Sequence, residues 1–117
     1  MLKEMYEQPK TISDTLTPRV KGKDVVIEEL NMTDDELREI KKLHIVACGS
    51  AYHAGMTGKY VLEGLARIPV EVDLASEFRY RDPILEEGAM VIYSTKVQSD
   101  PADGVSRSAW RRTVYRI

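Results

Sequence analysis

The chain has 117 residues, 43% of them hydrophobic and 31% charged, a mixture that excludes disorder throughout and fits one small globular domain. With 17 Lys and Arg against 19 Asp and Glu the formal net charge is -2, too balanced to select nucleic acid or an anionic membrane as a partner. Cys48 is the single cysteine and so cannot close an internal disulfide, and the longest apolar stretches fall far short of the ~20 residues of a bilayer span. The N-terminus has acidic residues and no apolar core of a signal peptide, so a cytoplasmic location is expected.

From the N-terminus, Leu2, Met5, Tyr6, Ile12 and Leu16 recur at helical steps with a gap near Pro9, which predicts two short helices meeting at Gln8-Pro9. Thr17-Pro18 and Lys21-Gly22-Lys23 supply turn residues, and residues 24–30 read as either strand or loop. Thr33 and Glu36 form a capping box, and Asp34 and Asp35 put negative charge at the positive end of the helix dipole, predicting a helix over 34–42. The largely apolar run 43–48, bounded by Gly49-Ser50, reads as a strand covered on both faces.

A helix follows from Ser50, with Ala51, Ala54 or Gly55, Gly58, Val61 or Leu62, and Leu65 on one stripe, the small residues nearest its start. Arg67-Ile68-Pro69 stops it. Val70, Val72 and Leu74 alternate with Glu71 and Asp73 as a second strand, 75–81 starts another helix, and 90–93 makes a third strand. The alternation of strands and helices implies an α/β fold, a partial three-layer αβα arrangement on a parallel sheet preceded by N-terminal helices. The expected division is a helical lead-in over 1–42, the partial α/β domain over 43–94, and an irregular tail over 95–117 in which no helical or strand period survives.

Chemistry is expected first at Cys48-Gly49-Ser50-Ala51, where a strand ends and a helix begins, because free helix amides there can face an anion. Gly49 would let the backbone approach a phosphate or sugar oxygen, Ser50 would offer a hydroxyl and cap the helix, and Ala51 leaves space. The alternative is a plain turn in which Gly49 bends the chain and Ser50 only caps.

A dinucleotide fingerprint fails because no glycine stands two residues from Gly49, and a P-loop fails around Gly58-Lys59 because His53 and Tyr60 occupy its glycine and Ser/Thr positions. Lys59 is therefore read as a solvated helix residue. His44, Cys48 and His53 lack regular ligand spacing, so no metal site is expected, and Cys48 is read as a packing residue rather than a nucleophile. Glu77, Arg79 and Arg81 are read as salt-bridging surface charges. No catalytic residue stands out by motif.

Three stretches together carry a resemblance: residues 1–9 (MLKEMYEQP), 45–55 (IVACGSAYHAG), and 68–72 (IPVEV) with 75–81 (ASEFRYR). In these the sequence resembles the glucosamine-6-phosphate synthases, the isomerizing glutamine-fructose-6-phosphate aminotransferases, at the start of their sugar isomerase (SIS) half. The likeness runs from Met1 to about Ile92, with Ser50 where that family commonly has threonine.

The resemblance implies a sugar-phosphate pocket of the fructose-6-phosphate type lined by Cys48, Gly49, Ser50 and Ala51. A second loop follows the third strand, of which Gln98 and Ser99 are an altered echo; Pro101 there removes an amide donor. It further implies a homodimeric parent that needs no cofactor and converts fructose-6-phosphate and glutamine to glucosamine-6-phosphate and glutamate. The glutaminase nucleophile, isomerase base, ring-opening histidine and Schiff-base lysine have no counterparts here, so a fragment without turnover is expected, its tail arising from a frameshifted, misassembled or truncated reading frame. The alternative is a stand-alone sugar-phosphate-binding or association module without catalysis, its last strand leaving an open sheet edge.

Overall fold

The structure is a computed structural model that describes residues 1–81 and 83–93, and the backbone of 114–116. The chain divides into two compact units, Met1–Met32 and Thr33–Ile117.

In the first unit, helix α1 (Leu2–Leu16) is one continuous helix with Pro9 inside it, where the sequence had suggested a break at Gln8-Pro9. Proline removes a single amide donor. The turns on either side hold through Lys3–Glu7 and Lys10–Asp14 pairs at 3.8 and 3.0 Å and through the Thr11 and Thr15 hydroxyls, which donate to the carbonyls of Glu7 and Thr11. Strands β1 (Val20–Lys21) and β2 (Asp24–Val25) then pair antiparallel. Gly22, at φ 67°, is the first of the two loop residues, a backbone that glycine adopts without strain. The open reading of 24–30 thus resolves into a hairpin strand followed by a short 3-10 turn, Glu28–Leu30.

The second unit opens with α2 (Asp34–Arg38), whose predicted capping box forms: the Glu36 amide donates to Thr33 Oγ1 at 3.3 Å, and the Thr33 amide to Glu36 Oε2 at 2.8 Å. The helix stops well short of residue 42. Lys41 donates its amide to the Gly88 carbonyl, and Lys42 is already the first residue of strand β3 (Lys42–Ala47), so sheet pairing takes residues that local pattern had assigned to the helix.

Helix α3 (Gly49–Ala66) follows, ended by Arg67 in the left-handed conformation, then β4 (Val70–Leu74), α4 (Ala75–Arg81) and β5 (Ala89–Tyr93). A further strand, β6 (Val114–Arg116), pairs parallel with β5. Its three residues are too few to show a period, which is why the tail read as irregular and the far side of β5 as an open edge. The sheet order is β4-β3-β5-β6, all parallel, as an α/β fold requires.

Register and alternation set the two faces. Ile45 pairs with Val72 and Ile92, and this face meets α3, where Gly55 is the one fully buried residue of the helix. The opposite face carries His44 and Val46, and there Val46, Val91, Ala75 and Phe78 form the core with Leu85 and Tyr93 packed on it. Of the stripe expected on α3, Gly55 is buried and Leu62 half-buried, whereas Ala54, Val61 and Leu65 are exposed. Eighteen helical residues span about 27 Å and a six-residue strand about 20 Å, so the last turn overhangs the sheet.

Candidate functional site

Parallel strands bring their C-terminal ends to one edge of the sheet. The chain runs from β3 to its neighbour β4 on one side and then crosses to β5 on the other, so the direction of winding reverses between β3 and β5. In open α/β sheets, ligands bind in the crevice outside such a reversal. Among the described residues the β3–α3 turn at Cys48–Ala51 borders it, and the resemblance implies a second loop carrying Gln98 and Ser99. Gln98 and Ser99, expected on that second loop, lie outside the described residues, as does the rest of 94–113.

At the turn, Cys48 continues the strand with φ -138° and Gly49 turns the chain at φ 58°, a left-handed value that strains any residue bearing a Cβ. The residue that caps α3 is therefore Cys48 and not Ser50. Ser50 lies inside the first turn, and among the described residues no side chain caps the free amides there. Cys48, Gly49 and Ser50 are exposed and Ala51 is half-buried. The expectation that Cys48 packs in the core fails for the same reason: the strand's buried run ends at Ala47, one residue earlier. Among the described residues the turn offers backbone donors without a partner at the positive end of an 18-residue helix, with a hydroxyl and a thiol beside them.

A second group of polar side chains sits on the α4 face of the sheet, and pattern along the sequence does not assemble it. His44 is 2% exposed, and neither ring nitrogen has a hydrogen-bond partner. Nδ1 faces Glu71 Oε2 at 3.4 Å, and the ring tilts against Phe78 at 6.4 Å between centroids. Glu71 Oε1 holds Lys42 at 3.0 Å, Lys42 also reaches Glu86 at 3.5 Å, and Arg81 holds Asp73 at 3.0 Å.

Burial pushes the His44 pKa down, against the opposing pull of the Glu71 charge. The hydrogen bond with Lys42 holds Glu71 below the usual carboxylate range, and the same bond raises Lys42. Among the described residues, His44, Glu71 and Asp73 bring one ligand atom each within 4.8 Å, a set without Cys48 or His53. Lys42 and Arg81 already neutralise its carboxylates, which makes it an ion-pair network. The signal was available in the register, since His44 pairs with Glu71 and Val46 with Asp73, but register is not visible along a single strand.

Lys59, read as solvated, is instead tied down: its Nζ donates to the Val70 carbonyl at 2.8 Å, and Glu63 Oε1 accepts from the Val70 amide at 3.1 Å. Arg81 pairs with Asp73 as a charged helix residue, in line with its salt-bridge reading.

Compared with known protein families, residues 36–101 match the model described as SIS domain, a stretch of more than half the chain. The chain belongs to the SIS domain family. The matched span starts in α2 and takes in β3, the turn, α3, β4, α4 and β5. Curated relatives are named glutamine-fructose-6-phosphate aminotransferase (isomerizing). The one from Clostridium acetobutylicum is 56% identical over 93 residues, 79% of this chain and 15% of its own length. The one from Mycolicibacterium smegmatis is 53% identical over 92 residues, again 79% and 15%.

Among solved structures, the C-terminal domain of glucosamine-fructose-6-phosphate aminotransferase from Francisella tularensis superposes with a TM-score of 0.68 at 36% identity, covering 80% of this chain and 26% of that one. This SIS chain thus matches the SIS domain of those aminotransferases and spans about 15% of the length of the curated relatives. The partial αβα architecture expected from the residues is the one the SIS likeness carries.

Proposed function

We propose that this chain is a sugar-phosphate-binding element whose Cys48–Ala51 turn holds the phosphate of a fructose-6-phosphate-type ligand. The observation that carries the reading is Gly49 at φ 58° between an extended Cys48 and the free first turn of α3, on the crevice side of the sheet. Backbone amides of Gly49, Ser50 and Ala51 donate to phosphate oxygens, the helix dipole favours the negative charge, and the Ser50 hydroxyl adds a donor. The name of the curated relatives, which contains fructose-6-phosphate, suggests the substrate class. In this reading the chain contributes ligand grip and no group transfer, because a base, a ring-opening acid and an amine nucleophile are not assigned to any residue here. No helix among the described residues is long and apolar enough to cross a membrane. A cytoplasmic setting is part of the same proposal. A homodimer belongs to the same reading, and sedimentation velocity reads it directly.

The test is an amide-resolved NMR titration with fructose-6-phosphate, with fructose as control. Saturable shifts at Gly49–Ala51 with millimolar affinity, absent with fructose, are expected; their absence overturns the reading. Gly49→Val, which forces a β-branched residue to positive φ, should abolish the response. An aminotransferase assay with glutamine or ammonia should stay at blank.

A further inference from the structure

After Gly49, its first residue, helix α3 holds three more glycines, and a Cβ built on them meets open space at two and a contact at the third. At Gly58 and Gly64 nothing lies within 4 Å. At Gly55 the added carbon would stand 2.9 Å from Ile45 Cγ2 and 3.3 Å from Val72 Cγ1, the side chains of the two strands beneath. Carbons pack at about 3.5–4.0 Å, so a methyl group at 55 must push the helix outward by roughly 1 Å or displace both side chains. Gly55 lies six residues from Gly49, about 9 Å along the axis, and a stiff helix passes the displacement to its first turn.

We propose that Gly55 is the positioning residue of the Cys48–Ala51 turn: its missing side chain sets the depth at which α3 lies on Ile45 and Val72, and hence where the Gly49–Ala51 amides aim. This rests on the phosphate role proposed for that turn. Gly55 touches no ligand and acts through the helix. Its loss cannot be mistaken for a helix-propensity effect, because alanine is the better helix former at each of the three glycines and would stabilise α3 wherever the methyl fits. Ile45 makes the closer of the two contacts, and Val72 Cγ1 at 3.3 Å is the one that a change at Ile45 leaves in place. With Ile45→Ala the nearest carbon left on that residue is its Cβ, at 3.8 Å, an ordinary contact distance.

The experiment compares amide spectra of the 117-residue chain with G55A, G58A and the double variant G55A/I45A, first without ligand and then titrated with fructose-6-phosphate. G55A should move the Gly49, Ser50 and Ala51 resonances and weaken sugar-phosphate binding about tenfold, since ~1 Å of misplacement is enough to uncouple aligned groups. G58A should leave both unchanged. G55A/I45A should return the three amides and the affinity toward wild type although it is the less stable protein, a divergence that a merely structural glycine would not produce. The proposal falls if G55A leaves those amides where G58A does, or if the double variant fails to restore them. Should G55A not fold, recovery of the fold and of the amide positions in the double variant supports the proposal, and no recovery overturns it. A wild-type chain whose turn ignores fructose-6-phosphate would refute the phosphate reading, while the ligand-free spectra would still decide the role of Gly55.

Discussion

The two faces of the sheet are held in different ways. On the face under α3 the contact that matters is an absence, the missing side chain of Gly55 above Ile45 and Val72, and no residue of the helix other than Gly55 is fully buried. On the face under α4 the contact is a mass of side chain: Phe78, Val46 and Val91 are all 0% exposed, ringed by the charged network of Lys42, Glu71, Asp73 and Arg81. The lesson is a division of labour. Stability is concentrated where large groups are buried, and the α3 face, held by shape, sets the height of the turn proposed to meet the ligand.

The sharpest way to break that contrast is to remove bulk from each face in turn. Phe78→Ala empties a fully buried site and should cost about 3–5 kcal/mol, whereas Leu62→Ala, on the half-buried stripe of α3, should cost under about 2 kcal/mol. Urea denaturation of both variants measures the difference, and equal losses would show that the two faces share the load.

Among the described residues the α3 face has a polar anchor at Val70, and it gives a smaller effect. Lys59 and Glu63 serve the outward carbonyl and amide of Val70, at the first residue of the end strand β4, in place of a neighbouring strand. Glu63→Ala leaves the Val70 amide to water and should cost about 1 kcal/mol. Hydrogen exchange should rise at Val70 first, with β3 and β5 unaffected. Opening of the whole sheet instead would mean that the anchor holds more than one strand end.

The sequence exposed these two faces unequally. Runs of apolar residues gave β3, β4 and β5 to within a residue, and α4 over 75–81, because a buried strand or an amphipathic turn must advertise its period. The turn at Cys48–Ala51 was legible because Gly-Ser after an apolar run has few other uses, but the capping position fell two residues early, at Cys48, since the strand's extended backbone runs one residue past its last buried side chain. Gly55 appeared only as one of two alternatives on a stripe, for which strand stands beneath a glycine depends on packing. The His44 network was invisible because Lys42, Glu71 and Arg81 are brought together by register and by the return of α4, neither of which a single segment encodes. The continuity of α1 through Pro9 escaped for a different reason: a proline marks where one bond is missing, and the neighbouring turns decide whether the helix survives.

The smallest expected effect is a pH dependence confined to the α4 face. His44 has its folded pKa lowered from 6.5, chiefly by burial, so on acidification the unfolded chain takes up a proton that the folded chain refuses. Stability therefore begins to fall as the pH drops through about 6.5 and levels off below the folded value. Glu71 is lowered from 4.5, chiefly by its bond to Lys42, so its contribution is present above 4.5 and is lost as the pH falls through its folded value. The two limbs separate in His44→Phe, which keeps a ring beside Phe78 and removes the titration: the variant should be flat through the upper window and should still lose stability below 4.5. Denaturation midpoints across the acid range read both limbs. If the upper limb survives the substitution, a group other than His44 carries it, and the charged face is coupled to pH through its ion pairs rather than through the buried imidazole.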